Sequence, residues 1–262
     1  MYKKIAVIAA KKNPEAEARK NSLVQQFGFI DLTKNHHAAI DFDLVIAIGG
    51  DGLILHLLHE YQKNPLPIYG INCGTVGFLM NSFHEKNFLE NLAKAKIATL
   101  NPLRMKAIDC KGVEHSHIAI NEVSLIRQTS QIAKIKVEVN GQERLSCLAA
   151  DGILLSTAAG STAYNFSVGG PIIPLGAEIL ALTPISPFRP RKWHGALLPA
   201  NSEVRFEILE AEKRPISATA DSREIRDVKE VIVSEDTSIA FKILFDANHS
   251  LEERIIKEQF QN

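Results

Sequence analysis

The sequence predicts an α/β domain built on a parallel sheet, followed by a mainly β domain that forms a β-sandwich. Strand and helix signals alternate over about the first 100 residues, as they do in βαβ units. After Asn101-Pro102 the signals are mostly those of strands. We therefore expect an α/β domain at residues 1–100 and a β-rich domain at residues 101–245. A C-terminal helix at residues 246–262 is expected to return and pack on the first domain.

The α/β domain begins with a short strand, since the run from Lys4 to Ala10 is rich in residues that favour strands. A helix follows, because Asn13-Pro14 supplies an N-cap and a proline at the first helical position, and Gly28 is placed to end it. The run from Leu44 to Ile48 is continuously apolar, which is typical of a parallel strand that is buried on both faces.

The same alternation continues with a helix from Leu53 to about Tyr61 and a strand from Pro67 to Ile71. Ser82 and Glu85 form a capping box, which predicts the start of a further helix. The apolar face of that helix consists of Phe88, Leu89 and Leu92. Together these elements predict a Rossmann-like parallel sheet.

Alternating apolar residues and turn residues predict the β-rich domain. Ile118 to Ile126 is an apolar strand candidate. Apolar and polar residues alternate from Ile135 to Val139, and Asn140-Gly141 then predicts a hairpin turn. Later strands are expected at Glu203 to Leu209, Pro215 to Ala220, Lys229 to Ser234 and Ser238 to Phe245.

The C-terminal helix is expected from a second capping box, which Ser250 and Glu253 form. Apolar residues follow at spacings that suit one face of a helix, at Leu251, Ile255 and Phe260. We expect this face to pack on the α/β domain.

Composition excludes several classes of protein. The chain has 30 Lys plus Arg and 30 Asp plus Glu, so its zero net charge gives no general attraction to nucleic acid or anionic membranes. Its apolar runs are far shorter than the roughly 20 residues that span a bilayer, and its N-terminus lacks the apolar stretch of a signal peptide. Three widely spaced cysteines are typical of reduced thiols. We therefore expect a cytoplasmic protein.

The strongest chemical signal is Gly49-Gly50-Asp51-Gly52, which follows a buried strand and opens a helix. Small residues there let a ligand approach the backbone, and the helix N-terminus offers N–H groups to phosphate. A carboxylate at such a site repels phosphate unless a metal or an acidic proton lies beside it, and a hydroxyl that attacks phosphate supplies such a proton. The alternative is a strand-to-helix turn that uses Asp-Gly for its backbone geometry.

Two shorter segments carry further polar chemistry. The segment from Asn72 to Leu79 also follows a strand, so both loops would lie at the carboxyl ends of parallel strands, where ligands bind in open α/β sheets. Asn121-Glu122 places an amide and a carboxylate on opposite faces of a strand, where they could bind hydroxyl and amino groups of a ligand. An ordinary βα loop and an exposed strand end are the alternatives.

A longer polar segment runs from Ala150 to Pro171. A buried strand at its start leads into small and hydroxylated residues from Ser156 to Thr162. These residues let a flat ring or a phosphate approach the backbone, and Tyr164 can stack on a ring. A serine-rich surface loop is the weaker alternative, because buried apolar residues flank the segment.

The remaining candidates carry less chemistry. The run from Phe188 to His194 is the only dense basic cluster, and it suits a phosphate site, a solvated loop or a subunit contact. His56 and His59 have a metal-compatible spacing without further ligands. His115 and His117 share one face of a strand. We interpret all four histidines as surface or packing residues.

Taken together and in this order, the four segments resemble the motifs of the NAD kinase family. That family has a Gly-Gly-Asp-Gly loop, an Asn/His-x-Gly-x-x-Gly-Phe-Leu loop, an Asn-Glu pair and a Gly-Asp-Gly…Thr-Ala-Tyr segment. The resemblance extends from about residue 44 to residue 223. It implies transfer of a phosphoryl group from ATP to the 2′-hydroxyl of the adenosine ribose of NAD, giving NADP. Inorganic polyphosphate is an alternative donor in the family.

The resemblance also implies roles for individual residues. Asp51 matches the general base of the family, and Gly52 and its neighbours match backbone that holds phosphate. Asn72 opens the matching second loop and is a candidate for nucleotide binding. Asn121 and Glu122 match the pair that binds the adenosine portion of NAD.

Asp151 matches an aspartate that contacts the nicotinamide end of NAD, often across a subunit boundary, so we expect a homodimer or homotetramer. The lining of the NAD site is matched by Ala159, Thr162, Ala163, Tyr164, Asn165, Ser167 and Ser186. A divalent ion, expected to be Mg²⁺, should accompany ATP and be held mostly by phosphate oxygens and water. The sequence therefore need not carry a dedicated set of metal ligands.

Several positions depart from the family pattern. Leu53 stands where the family often has threonine, and Ala149 stands where some relatives have a basic residue. Ala150 replaces the first glycine of Gly-Asp-Gly, which requires an ordinary backbone angle at that position. Ser222-Arg223 replaces the glycine or histidine that often follows the aspartate matched by Asp221. These departures leave the choice of phosphoryl donor open.

Two other functions have to be weighed against this one. A lipid or sugar kinase shares the Gly-Gly-Asp-Gly loop, but Asn121-Glu122 and the segment from Thr162 to Tyr164 resemble the NAD-binding side of NAD kinases. A nucleotide-sensing module without catalytic activity is expected to lack the base, and Asp51 is present.

Overall fold

The chain divides into two compact units. The computed structural model describes residues 2–33, 42–74, 77–83 and 85–247. Residues up to Leu100, together with those from Ile239 onward, form the first unit, and Asn101–Ser238 form the second. The expected C-terminal helix lies outside the described residues from residue 248 onward.

A six-stranded sheet forms the first unit. Five of its strands are β1 (Ile5–Ala9), β2 (Ile30–Asp31), β3 (Leu44–Gly49), β4 (Ile68–Asn72) and β5 (Lys96–Leu100). The sixth comes from near the end of the chain and is β18 in chain order (Phe241–Phe245). The spatial order is β2-β1-β3-β4-β18-β5, and only the pairing of β18 with β5 is antiparallel. The predicted parallel α/β sheet is therefore confirmed, with one antiparallel strand at its edge.

Helices α1 (Pro14–Phe27), α2 (Asp51–Glu60) and α3 (Phe88–Lys94) belong to the same unit. The side chain of Asn13 caps α1 by accepting the Ala16 N–H at 3.0 Å, and Gly28 ends the helix with φ of 69°. Both predicted ends of α1 are thus confirmed. The helix predicted after Ser82 is present as α3, but a 3₁₀ helix at Glu85–Asn87 precedes it, and Asn87 instead of Ser82 is at its N-cap. Of its predicted apolar face, Phe88 and Leu92 are buried and Leu89 is exposed.

The strand β18 corrects the predicted boundary of the β-rich domain. That domain was expected to extend to residue 245, yet Ile243 lies opposite Ile68 of β4 and Leu244 lies opposite Ile97 of β5. The apolar side chains of β18 are buried on both faces, because the strand occupies an interior position of the first sheet. Alternation identifies a strand but not the sheet that it joins.

Two antiparallel sheets form the second unit. One sheet contains β6 (Leu103–Asp109), β7 (Glu114–Ala119), β9 (Ala133–Val139), β10 (Gln142–Ala150), β14 (Val204–Ile208) and β17 (Val228–Glu235). The other contains β8 (Glu122–Arg127), β11 (Gly152–Ser156), β12 (Ile179–Ile185), β13 (Ala196–Pro199), β15 (Ile216–Ala220) and β16 (Arg223–Ile225). Their spatial orders are β10-β9-β14-β17-β6-β7 and β13-β12-β11-β8-β15-β16. The predicted mainly β domain is confirmed.

Apolar residues of both sheets share one core, so the second unit is a β-sandwich. Val137 and Phe206 enter this core from the first sheet, and Leu125 and Leu155 enter it from the second. All four are fully buried. The period of two along each strand brings them to the inner faces. A short 3₁₀ helix (Ala159–Thr162) and helix α4 (Tyr164–Ser167) follow β11.

The apolar run from Ile118 to Ile126 is not one strand, as the sequence suggested. β7 ends at Ala119 in one sheet and β8 begins at Glu122 in the other, so the chain crosses between the sheets at Ile120-Asn121. Apolar residues occur on both sides of Asn121-Glu122 because both strands supply residues to the same core, Ala119 from β7 and Val123 and Leu125 from β8.

Among the residues that the structure describes, none of the helices has the length and apolar character needed to cross a membrane.

The shared core predicts a large effect of truncating Phe206. Phe206→Ala should destabilise the protein by about 3–5 kcal/mol, since it removes a fully buried ring from a close-packed interior. Phe166→Ala is the matched control, because that ring is 47% exposed, and its effect should stay within about 1 kcal/mol. Urea unfolding of both variants measures the difference. Equal losses of stability would contradict the placement of Phe206 in the core.

Candidate active site

The first glycine-rich loop connects β3 to α2. A Cβ atom on Gly49 would lie 2.9 Å from the Cβ of Ala10, so packing excludes a side chain there. A Cβ on Gly50 or Gly52 would meet no atom of the described residues within 4 Å, and neither residue has a left-handed backbone angle. Neither packing nor backbone geometry explains these two glycines. They leave open space beside the N-terminus of α2, where a phosphate can approach the backbone N–H groups.

Asp51 is the first residue of α2, and its carboxylate is held by the second glycine-rich loop. Oδ2 accepts the Phe78 N–H at 2.8 Å, and Oδ1 accepts the Leu79 N–H at 3.0 Å. A Cβ on Gly77 would lie 2.8 Å from Oδ1 of Asp51. The second loop thus needs a glycine at 77 in order to reach the aspartate. The structure brings these two motifs into direct contact, as their positions after parallel strands predict.

The second loop is fixed to the sheet at its first residues. The Cys73 N–H donates to the Gly49 carbonyl at 2.8 Å, so the two loops leave the sheet side by side. The side chain of Asn72 accepts the Gly74 N–H at 3.1 Å, in a turn typical of asparagine. The side chain of Asn72 therefore shapes the second loop. Its predicted role in nucleotide binding remains a prediction.

Asn81 fixes the far end of the second loop and was missed by the sequence analysis. Its fully buried amide donates to the carbonyls of Gly70 and Leu244 at 3.0 and 2.9 Å and accepts the Asp246 N–H at 2.9 Å. These bonds join the loop to β4 and β18. A lone asparagine after Phe78-Leu79-Met80 is the only sequence signal of this role.

In the second unit, Asn121 and Glu122 lie at the crossing between the two sheets. The Asp221 carboxylate accepts their N–H groups at 3.0 and 3.4 Å. On the other side, the Thr157 N–H donates to the Asn121 carbonyl at 2.9 Å. A Cβ on Gly160 would overlap the Asn121 backbone, so the small residues after β11 let that segment pack on the crossing.

Glu122 is largely buried beside a second carboxylate. Its Oε2 is buried without a hydrogen-bond partner among the described residues. Burial, and secondarily the charge of Asp221, raise the pKa of Glu122 from its ordinary 4.5 to about 7. A carboxyl group with an unpartnered buried oxygen suits a ligand hydroxyl, because that hydroxyl can satisfy it.

Tyr164 and Asp151 lie in the same region of the second unit. Burial raises the pKa of the Tyr164 hydroxyl, and the charges of Glu122 and Asp151 act in the same direction. Asp151 precedes β11, and its carboxylate accepts the Arg127 Nε–H at 2.6 Å. Tyr164, Glu122 and Asp151 are therefore close enough to interact electrostatically. Arg127 contacts this group through Asp151, and the sequence analysis did not predict that contact.

Asn165 has its side-chain amide occupied by the protein itself. Its Nδ2 donates to the carbonyls of Ser161 and Pro171 at 3.1 and 2.9 Å, and its Oδ1 accepts the Thr183 hydroxyl at 2.6 Å. The residue is fully buried. Its amide therefore holds the segment together. The other residues expected to line the NAD site lie on the same segment, at Ala159, Thr162, Ala163 and Ser167, and directly after β12, at Ser186.

The other candidates of the sequence have ordinary structural contacts. His56 lies 3.7 Å from Glu60, and His115 lies 3.1 Å from Asp109. In the described ranges no group of three or more His, Cys, Asp or Glu side chains is arranged to hold a metal ion. In the basic cluster, the Arg189 guanidinium stacks on the exposed ring of Phe188, 4.5 Å from its centroid.

Comparison with known proteins identifies the family. Residues 3–96 match the ATP-NAD kinase N-terminal domain, and residues 120–240 match the ATP-NAD kinase C-terminal domain. The chain is 50% identical over 247 residues to an NAD kinase of Caulobacter vibrioides, which covers 94% of this chain and 92% of that protein. It is 48% identical over 257 residues to an NAD kinase of Xylella fastidiosa, at coverages of 98% and 96%. The chain belongs to the NAD kinase family.

Solved structures agree on the fold of this NAD kinase family member. A yeast NADH kinase complexed with NADH superposes with a TM-score of 0.82 at 20% identity, covering 99% of this chain and 88% of the other. An NAD kinase from Archaeoglobus fulgidus in complex with ATP superposes with a TM-score of 0.75 at 22% identity, covering 98% of each chain. The match to the C-terminal NAD kinase domain also argues against a lipid or sugar kinase.

One departure from the NAD kinase pattern is explained by the structure. Ala150 ends β10, is fully buried and has no left-handed backbone angle. Because the backbone angle at position 150 is ordinary, alanine can replace the first glycine of Gly-Asp-Gly there. Gly152 is different, because a Cβ there would overlap the Leu125 carbonyl.

The environment of Glu122 predicts a pH-dependent stability. The pKa of Glu122 is higher in the folded than in the unfolded chain. Its contribution to the free energy of unfolding is therefore complete below the ordinary pKa of 4.5 and is lost as pH rises through about 7. The loss should reach up to roughly 3 kcal/mol. Glu122→Gln should remove this dependence, which urea unfolding across neutral pH can measure. Glu143→Gln, at an exposed position of β10, is the control. A parallel pH profile for wild type and Glu122→Gln would contradict the raised pKa.

Proposed function

We propose that this NAD kinase transfers the γ-phosphoryl group of ATP to the 2′-hydroxyl of the adenosine ribose of NAD, giving NADP and ADP. The family and the match of both of its domains support this activity. The single observation that carries the chemical proposal is the Asp51 carboxylate at the N-terminus of α2, which two backbone N–H groups hold in place.

Asp51 is proposed as the general base. An ionised carboxylate is acceptor-only, and the N–H groups of Phe78 and Leu79 fix the orientation of the Asp51 carboxylate. The 2′-oxygen would attack the γ-phosphorus and form the new O–P bond while its proton passes to Asp51. The bond from the γ-phosphorus to the bridging oxygen breaks, and ADP leaves with that electron pair.

The open backbone beside Asp51 is proposed to hold phosphate. Gly50 and Gly52 leave space for the ligand, and Gly50, at the N-cap of α2, supplies no side chain to cap the helix. Because the helix N-terminus carries partial positive charge, it stabilises the charge on the transferring group without a lysine or arginine.

The second unit is proposed to bind NAD. Asn121 and the unpartnered oxygen of Glu122 would bind the adenosine portion, and Tyr164 would stack on a ring. Asp151 would contact the nicotinamide end, in a homodimer or homotetramer where a neighbouring subunit shares the site. Asn165 would act by holding the lining segment in shape.

Magnesium is proposed to enter with the nucleotide. The described residues offer no group of three metal-binding side chains, so a dedicated protein site does not fit them, and the ion belongs to the Mg·ATP substrate. Inorganic polyphosphate is the alternative donor. A cytoplasmic location is proposed as well, which three unpaired cysteines support.

The activity is tested by mixing the protein with NAD, ATP and Mg²⁺ and coupling NADP formation to an NADP-specific dehydrogenase. Formation of NADP is expected with ATP, and polyphosphate in place of ATP tests the second donor. Binding of NAD without NADP from any donor would instead favour a nucleotide-sensing module.

Asp51→Asn should keep NAD binding and lower kcat on the order of 10²–10⁴-fold, because the amide cannot take the 2′-hydroxyl proton. The coupled assay gives kcat, and calorimetry gives the NAD dissociation constant. Asp43→Asn is a control from the same unit, since Asp43 accepts the backbone N–H groups of Lys3 and Lys4 away from the loops. Turnover that survives in Asp51→Asn would remove Asp51 from its proposed role.

Gly77→Ala should lower kcat on the order of 10²-fold, because the added Cβ would lie 2.8 Å from Oδ1 of Asp51 and displace the carboxylate. Gly74→Ala is the matched control in the same loop, since among the described residues its Cβ would meet Oδ1 of Asn72 alone, at an ordinary 3.7 Å. Steady-state kinetics of both variants compare them. If Gly74→Ala is equally impaired, the effect belongs to the loop and not to its contact with Asp51.

A further inference from the structure

The crossing between the two sheets directs three consecutive backbone N–H groups at one carboxylate. Asp221 accepts the N–H of Ile120 at 2.7 Å, that of Asn121 at 3.0 Å and that of Glu122 at 3.4 Å. About 100 residues separate donors and acceptor in the sequence, so this contact forms only in the folded second unit. Successive N–H groups that converge in this way make a concave anion site, and an internal side chain fills it here.

Asp221 is placed for this contact by the end of β15. Ala220 pairs with Val123 of β8, and the next residue along the chain is Asp221. Its own N–H donates to the Glu122 carbonyl at 3.2 Å. Its φ of +49° is left-handed, a conformation that aspartate tolerates better than most residues because its short side chain bonds locally.

The opposite side of the crossing is held as firmly. Thr157 donates its N–H to the Asn121 carbonyl at 2.9 Å and its hydroxyl to the Ile120 carbonyl at 2.7 Å. With Asp221 on the N–H groups and Thr157 on the carbonyls, the backbone of the Asn-Glu pair is bound from both sides. Its side chains therefore project from a fixed frame.

We propose that Asp221 is a positioning residue for NAD recognition, which sets the backbone that carries Asn121 and Glu122. This inference rests on the proposed function. Aspartate suits the task because both of its oxygens accept hydrogen bonds, whereas asparagine would turn an N–H₂ donor toward a backbone N–H. Asp221 also places a negative charge beside Glu122, and within the described residues Glu122 in turn interacts electrostatically with the Tyr164 hydroxyl on α4.

Asp221→Asn tests the proposal through the NAD dissociation constant of the full-length protein, measured by calorimetry across neutral pH. The constant should rise on the order of tenfold. The kcat at saturating NAD should change by less than about threefold, since Asp221 touches no reacting atom. Titration of Glu122 should make the NAD dissociation constant depend on pH. The midpoint of that dependence should move to lower pH in Asp221→Asn, because a neighbouring like charge is removed. In a Glu122→Gln background this shift should disappear.

Asp109→Asn is the matched control. Asp109 also accepts two backbone N–H groups in the second unit, those of Lys111 and Val113, both at 2.9 Å, but it lies at the β6–β7 turn. Its NAD dissociation constant should equal that of the wild type.

Several outcomes would overturn the proposal. One is a folded Asp221→Asn variant whose affinity and pH profile match the wild type. Another is failure of both Asp221→Asn and Asp221→Ala to fold, judged by circular dichroism, because Asp221 would then serve the fold alone. If the wild type binds NAD without forming NADP, the proposed kinase activity fails while the dissociation constants still test Asp221. If the wild type binds no NAD, both are wrong.

Discussion

Hydrogen bonds from backbone N–H groups to aspartate carboxylates hold both proposed functional regions of this chain in shape. In the first unit, Asp51 accepts two N–H groups of the second glycine-rich loop. In the second, Asp221 accepts three from the crossing between the sheets. Hydrogen bonds to a charged acceptor are stronger than neutral ones, and they fix backbone instead of mobile side chains. Glycines serve the same two regions, because a Cβ on Gly77 would lie 2.8 Å from Oδ1 of Asp51 and a Cβ on Gly160 would overlap the Asn121 backbone.

This use of the backbone also explains the balanced charge of a protein whose proposed substrates are anionic. Equal numbers of acidic and basic residues would be surprising if lysines and arginines bound the phosphates. In the proposed mechanism, the N-terminus of α2 beside Gly50 and Gly52 binds phosphate without formal charge. The carboxyl group of Glu122, with its raised pKa, fits the same pattern, because a partly protonated acid repels a phosphate-bearing ligand less than an ionised one.

Local patterns predicted much of the fold and the order of the site motifs, since helix caps, apolar runs and glycine-rich loops depend on residues that are close together in the sequence. The caps of α1 at Asn13 and Gly28 are examples. Contacts between distant parts of the chain were beyond such reasoning. Neither the pairing of β18 with β4 nor the three bonds to Asp221 leaves a local signature. Asn165 matched a family motif, but only the structure showed that its amide is occupied internally.

Because β18 belongs to the first sheet, it sets the order in which the two units can fold during synthesis. The second unit is continuous from Asn101 to Ser238, so all of its strands are present once that stretch has left the ribosome. The first unit has to wait, because β4 and β5 flank a gap until Phe241–Phe245 emerges. The sandwich can therefore close before the sheet that carries Asp51, although that sheet is encoded first. A chain that stops at Ser238 would keep the unit that is proposed to bind NAD and expose two unpaired strand edges in the unit that carries Asp51.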